Sequence, residues 1–185
     1  MSNLSIALIH YPVYDKNRMV VTTAITNYDI HDIARVAKTY GIEHYFIVSP
    51  LESQRKLAKR IIDHWTKGYG AKYNPKRKEA LFNVKIVHNI DEVKKTLYEH
   101  YGKELLLVAT DARVLDKSIS YEKLAEKLKK GEKHYLLILG TGWGLTEGFI
   151  DSCDLVLEPI LGKTYYNHLS VRSAAAIMID RLNGK

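Results

Sequence analysis

The chain of 185 residues predicts an α/β fold, a mainly parallel sheet flanked by helices on both faces. Two observations carry that reading. Short apolar runs alternate with stretches of helical spacing almost from end to end, as in strand–helix–strand units. Near the C-terminus, three segments combine glycine, proline and small polar residues where strands should end: Leu-Gly-Thr-Gly-Trp-Gly-Leu at 139–145, Glu-Pro-Ile-Leu-Gly at 158–162, and Asn-His-Leu-Ser-Val-Arg-Ser-Ala-Ala-Ala at 167–176. Loops at the C-terminal ends of parallel strands are where open α/β sheets hold ligands. Glycines there let the backbone approach a bound molecule closely.

The elements follow in order. Buried strands are expected at 5–10, 44–48, 83–88, 104–109, 134–139 and 154–157, with residues 4–14 reading as a core strand and its exit. Residues 28–40 read as a helix. A second helix carries Leu57, Ile61 and Trp65 at spacing four, with Ala58 and Ile62 beside them. A third repeats the spacing with Val93, Leu97 and Tyr101 after Asp91 as N-cap. A short helix should follow 139–145, and 167–182 forms the last one. Gly68, Gly70 and Pro75 interrupt regular structure, so 66–81 is expected to be a loop. There is no internal repeat or low-complexity tract, and residues 1–185 are expected to form one domain.

Composition narrows the setting. A lone Cys153 can form no internal disulfide, and no apolar run approaches membrane-spanning length, which together imply a cytoplasmic protein. The net charge is +7, and residues 51–80 hold nine Lys or Arg against three acids, a balance of +6. Trp65, Tyr69 and Tyr73 sit among those bases. Rings interleaved with cations can stack on unpaired bases while the charges meet phosphates. The alternative is a solvated lysine-rich surface.

Three candidate chemistries arise from these segments and the histidines. Gly140, Gly142 and Gly144 resemble a dinucleotide-binding turn, with Glu158 as ribose ligand, in a nucleotide-dependent oxidoreductase. The spacing is G-x-G-x-G, however, and it follows the fifth expected strand, not the first. No metal is expected: the eight histidines are dispersed, with no pair beside Asp, Glu or Cys at ligand spacing, and His10, His44, His88 and His134 fall at strand ends or starts where packing and hydrogen bonding suffice. No nucleophile elbow or complete P-loop is present.

The third reading takes the loops together. Thr-Asn-Tyr-Asp-Ile-His-Asp-Ile-Ala-Arg-Val-Ala at 26–37, the glycine loop at 139–145, and 158–162 with 167–176 resemble, in order and spacing, the three motifs of the SPOUT superfamily of S-adenosylmethionine-dependent RNA methyltransferases. The similarity spans about residues 5–182 and is strongest to a small stand-alone branch, sometimes fused to a tRNA guanine-N1 methyltransferase. It implies a C-terminal trefoil knot, a homodimer, S-adenosylmethionine as cofactor, and tRNA or rRNA as substrate, methylated on a ribose 2′ oxygen or a base nitrogen. A non-catalytic RNA-binding relative is the alternative.

The resemblance also assigns roles. Leu139, Gly140, Thr141, Gly142 and Gly144 would hold the methionine and ribose of the cofactor. Ile160, Leu161 and Leu169 would wall its adenine, with Thr110 and Asp111 on the other side and Ser170 nearby. Arg35 would orient RNA through a phosphate, since its guanidinium does not deprotonate. Asn27, His31, Asp32 and His168 complete the catalytic candidates, the last three as acceptors of the acceptor group's proton. The sequence departs from the family's usual pattern at His31, Thr141 and His168, which bears on the methyl acceptor more than on the cofactor.

Overall fold

The computed structural model describes residues 2–115 and 117–184; Met1, Asp116 and Lys185, including both ends of the expected domain, lie outside the described residues. Seven strands form one sheet: β1 (Leu4–Ile9), β4 (Tyr45–Val48), β5 (Val84–Val87), β6 (Leu105–Thr110), β7 (Ser118–Ile119), β8 (His134–Gly140) and β9 (Leu155–Leu157), in the order β5-β4-β1-β8-β6-β9-β7. Every pairing in it is parallel. All six expected strands are present within a residue or so of their expected ends. β1 is buried throughout, and so is β4, as the near-continuous apolar runs of a parallel sheet covered on both faces require.

Alternation along β1 shows how the faces divide. Leu4, Ile6 and Leu8 join a core with Ile30, Ile33, Ala58, Leu124 and Ile179, whereas Ala7 and Ile9 join a second core with Val93, Leu97 and Ile150. The first face is therefore covered by α1 (Asn27–Thr39), α2 (Glu52–Thr66), α6 (Tyr121–Lys130) and α8 (Val171–Asn183). The second is covered by α5 (Ile90–Tyr101) and α7 (Glu147–Asp151). Strand β9 lies between β6 and β7, pairing with both. Leu115, in the link that joins those two strands, packs on the second face, while Ile160, just past β9, packs on the first.

Several expectations need correction. Residues 66–81 are not a loop: α3 (Tyr69–Tyr73) and α4 (Pro75–Leu81) occupy most of the segment. Pro75 begins α4, where its missing N–H costs nothing, and Asn74 caps that helix by accepting from the Arg77 N–H. Helix α5 is capped by Asn89, whose Oδ1 accepts from the Glu92 N–H; Asp91 lies inside the first turn. Helix α8 starts at Val171 with Ser170 as N-cap, so 167–170 are loop. In α2 the buried pair is Ala58 and Ile62, and Leu57 faces solvent. Helix α6, the two-residue strand β7 and a hairpin, β2 (Val13–Tyr14) with β3 (Val20–Val21), were not anticipated.

Candidate functional site

Strands β8, β6 and β9 are neighbours, and they end together. Ala109 is level with Ile138 and Thr110 with Leu157, so the loops after Gly140, Thr110 and Leu157 leave adjacent strand ends. With strands about 4.8 Å apart, the outer two ends are roughly 10 Å from each other. Asn167 ties the third of these loops to the second by donating to the Ala112 carbonyl at 2.6 Å. Arg113 joins the second to the segment after the first: it binds both carboxylate oxygens of Asp111 at 2.9 Å and reaches Glu147 at 3.3 Å. Those two carboxylates hold the Arg113 guanidinium firmly charged, Asp111 most of all.

The glycine loop keeps its shape because the β2–β3 hairpin straps it. The Trp143 N–H donates to the Tyr14 carbonyl and the Tyr14 N–H donates to the Gly144 carbonyl, both at 2.9 Å. Gly142 has φ +60° and Gly144 has φ +97°, conformations that side-chain-bearing residues rarely adopt. A Cβ on Gly142 would lie 2.9 Å from the Tyr14 carbonyl oxygen, and one on Gly140 2.9 Å from the Leu145 nitrogen. A Cβ on Gly144 would meet nothing within 4 Å. Gly144 thus turns bare backbone toward open space, while Gly142 lets the loop pack on the hairpin and Gly140 lets it fold back on its own Leu145.

Beneath this loop runs a hydrogen-bonded chain. Thr141 Oγ1 donates to the Ile9 carbonyl at 3.0 Å, so it can only accept from Thr23 Oγ1; Thr23 in turn accepts from His10 Nδ1 at 3.0 Å. The direction fixes His10 as the Nδ1–H tautomer. His10 is fully buried, its Nε2 has no partner, and burial pushes its pKa down to about 4, which keeps it neutral at physiological pH. Thr23, Tyr14, Arg113 and Glu147 are not singled out by the sequence, whereas His10 has the packing and hydrogen-bonding role expected of it at a strand end. The turn-forming Asp15 and Asn17 between two short valine-bearing runs signalled the hairpin, but nothing local signalled Thr23.

The remaining expected cofactor residues divide by environment. Leu139 is buried in the first core and offers only its backbone to a ligand. Thr110 is buried, its hydroxyl donating to the Ile138 carbonyl at 2.9 Å. Ile160 is half-buried, whereas Leu161 and Leu169 are 62% and 45% exposed, apolar side chains on the rim without full cover. Ser170 is spent on its helix cap.

The catalytic candidates on α1 face two ways. Thr26 caps the helix, accepting from the Asp29 N–H and donating to its carboxylate, which leaves Asn27 exposed in the first turn. Asp32 points toward α8, where Arg172 approaches it at 3.4 Å and Asp29 at 3.6 Å. His31 instead packs edge-on against Trp65 of α2, over which Arg77 of α4 stacks at 4.5 Å. Burial, then the charge of Arg77, lowers the His31 pKa, and its Nδ1 has no partner. Arg35, one turn on from His31, is exposed and forms no ion pair among the described residues. His168 stands apart on the third loop, its ring edge-on to Tyr166.

The basic segment is less free than its composition suggested. Lys56, Lys59, Lys67 and Lys76 pair with Glu52, Asp63 and Glu79. Arg55 holds the Ser49 and Pro50 carbonyls. Arg60, Lys72 and Lys78 are exposed without an ion pair among the described residues. Tyr69 and Tyr73 stack on each other with centroids 6.1 Å apart, and both are largely exposed.

Residues 3–184 match a family model described as SAM-dependent RNA methyltransferase. The chain belongs to that family. It is 41% identical over 180 residues to an "Uncharacterized protein" of Aquifex aeolicus, covering 97% of this chain and 88% of the relative. It is also 41% identical over 182 residues to a protein of Oleidesulfovibrio alaskensis named tRNA (guanine-N(1)-)-methyltransferase, covering 98% of this chain but 42% of the relative. The chain thus spans less than half of that longer protein. Among solved structures, the SpoU methyltransferase AviRb from Streptomyces viridochromogenes, in complex with the cofactor AdoMet, superposes with a TM-score of 0.59 at 15% identity, over 98% of this chain and 57% of that one. The fold is that of the SPOUT methyltransferases, and the family's methyl donor is S-adenosylmethionine. No helix of the described residues is long and apolar enough to cross a membrane.

Proposed function

We propose that this chain, as one cytoplasmic domain over residues 1–185, transfers a methyl group from S-adenosylmethionine to a tRNA or rRNA, at a ribose 2′ oxygen in preference to a base nitrogen. The observation that carries the reading is the meeting of three loops at the ends of β8, β6 and β9, the first a strapped glycine loop with open space before Gly144. Backbone groups of Leu139, Gly140, Thr141, Gly142 and Gly144 hold the methionine and ribose. Ile160, Leu161 and Leu169 cover the adenine, which accounts for exposed leucines beside the cleft, and Thr110 and Asp111 bound the opposite side. The bound sulfonium supplies an activated methyl group; the protein's work is to align the acceptor with it, and positioning of this kind can lower a barrier by on the order of 7–11 kcal/mol.

Arg35 orients the RNA by forking onto a phosphate, a role supported by its exposure and its lack of an ion pair. His31, neutral and within the field of Arg35, is the better-supported proton acceptor, because Asp32 is engaged by Arg172. Asn27 and His168 flank the acceptor. The Tyr69–Tyr73 stack with Arg60, Lys72 and Lys78 forms the RNA platform next to the His31–Trp65–Arg77 group.

The C-terminal segment is threaded as a trefoil knot. The chain enters β9 from α7 on one face of the sheet and leaves toward α8 on the other, passing between β6 and β7, whose connecting link packs on the entry face. A homodimer is supported by the exposed rings of Tyr28, over which Arg172 of α8 stacks, and of Tyr165 and Tyr166 shortly before α8, surface that a second copy would cover. Of the small residues 173–176 early in α8, Ala175 is buried in the chain's own core and so is not open to a second copy. The test is transfer of labelled methyl groups from S-adenosylmethionine to bulk tRNA and rRNA, followed by nucleoside mass spectrometry. Incorporation into neither RNA, with cofactor binding intact, leaves the non-catalytic RNA-binding reading in its place.

A further inference from the structure

The end of the sheet opposite the loops holds a second cluster, which the methyltransferase reading does not use. Glu43 and His44 immediately precede β4, and His100 lies in the last turn of α5. Their ligand-capable atoms all fall within 4.8 Å of one another, and His100 Nε2 is 3.7 Å from the Glu43 carboxylate. Three donors around a tetrahedral zinc ion, each about 2.1 Å from it, would sit about 3.4 Å apart. Small side-chain rotations close that difference.

His44 is the informative member. Its side chain is 7% exposed, and neither ring nitrogen has a hydrogen-bond partner. A buried imidazole with both nitrogens unpaired is costly unless something else binds it. Its position is fixed, since the His44 carbonyl accepts from the Ile6 N–H at 3.0 Å and its ring sits against His100, Tyr101 and Phe46. A neutral imidazole offers a lone pair to a metal, although nearby Lys85 opposes a cation there. Tyr101 orients the carboxylate by donating to Glu43 at 3.3 Å, an outer-shell contact of the kind that steers metal ligands. Glu43 and His100 are partly exposed, which leaves a path from solvent for an ion and for water as a further ligand.

We propose that Glu43, His44 and His100 bind a divalent transition-metal ion of the zinc class, tying the end of α5 to the start of β4. Two imidazoles and one carboxylate suit zinc and its neighbours over calcium or magnesium, which take oxygen ligands. The sequence hides the site because His100, in α5, lies more than fifty residues from the adjacent pair Glu43 and His44 that precedes β4.

The test is calorimetric titration of chelator-treated protein with zinc chloride, beside cobalt chloride followed by visible absorption. One zinc per chain, tetrahedral cobalt bands and a raised melting temperature are expected. His100→Ala and Glu43→Gln should each weaken zinc binding at least tenfold. His88→Ala, a histidine outside the cluster, should leave it unchanged. His100 is half exposed, so its loss tests the site even where His44→Ala fails to fold. Absence of stoichiometric zinc binding, or affinity indifferent to both His100→Ala and Glu43→Gln, overturns the proposal.

Discussion

Substituting alanine at three glycines near the cleft separates the ways a glycine can matter. At Gly142, φ is +60°, and left-handed backbone costs an alanine about 1–2 kcal/mol. The added Cβ would also lie 2.9 Å from the Tyr14 carbonyl oxygen. That oxygen cannot step aside, since it already accepts from Trp143 in the two-bond pairing of hairpin and loop. Overpacking against fixed backbone adds roughly 1–3 kcal/mol, for a total of about 2–5 kcal/mol. In a protein of this length each kcal/mol lowers the melting temperature by about 2–4 °C, so Gly142→Ala should melt roughly 5–15 °C lower. At Gly144 the strain remains but the space is open, and the loss should be about 1–2 kcal/mol. Gly148 is in α7 with neither a positive φ nor a neighbour within 4 Å, so alanine there should stabilise by about 0.5–1 kcal/mol. Urea denaturation gives the stabilities, and calorimetry with S-adenosylmethionine gives the affinities. Gly142→Ala should lose cofactor affinity while Gly148→Ala keeps it. If Gly142→Ala and Gly148→Ala unfold at the same urea concentration, the account of the strapped loop is wrong.

Three further outcomes are expected. Arg35→Ala should keep cofactor affinity within about twofold and lower methyl transfer to RNA at least a hundredfold, as measured by calorimetry and label incorporation; equal loss of both would make Arg35 part of the cofactor pocket or the fold. Replacing Arg60, Lys72 and Lys78 together by alanine should flatten the log–log salt dependence of single-stranded RNA binding by about 2, at roughly 0.7 per phosphate contact, and an unchanged slope would return those charges to bare surface. His10 has a folded pKa of about 4 against an unfolded value near 6.5. Its neutral form is favoured by folding, so its contribution is complete above pH 6.5 and is lost as pH falls toward 4. His10→Gln should therefore show a shallower loss of stability between those pH values than the unsubstituted protein, and an equally steep loss in both would remove His10 from the account.

The sheet was legible because parallel strands covered on both faces need unbroken apolar runs, and 5–10, 44–48 and 134–139 are such runs whatever they pack against. The segment 66–81 misleads for the opposite reason. Gly68, Gly70 and Pro75 are breakers by local rules, yet Gly70 fits closely under His64 and Trp65, and Pro75 starts a helix instead of ending one. Helix α6 lay unread in a run of charges, since only Tyr121, Leu124 and Leu128 reach the core.

What the sequence determined by itself was the alternation of elements, the glycine loop after the fifth of the six expected strands, and a motif order specific enough to point to the family. These are local, since strand burial, helical spacing and glycine conformations are each written within a dozen residues. Tertiary structure alone decided that the 10–23 segment would strap the glycine loop through Tyr14 and Thr23, and that His31 and Asp32 would face different helices. It alone brought His100 to Glu43 and His44 across the sheet's far end. Such contacts depend on which strands become neighbours, and strand order follows from how the helices cover both faces of the sheet, a property of the whole chain that no local spacing encodes.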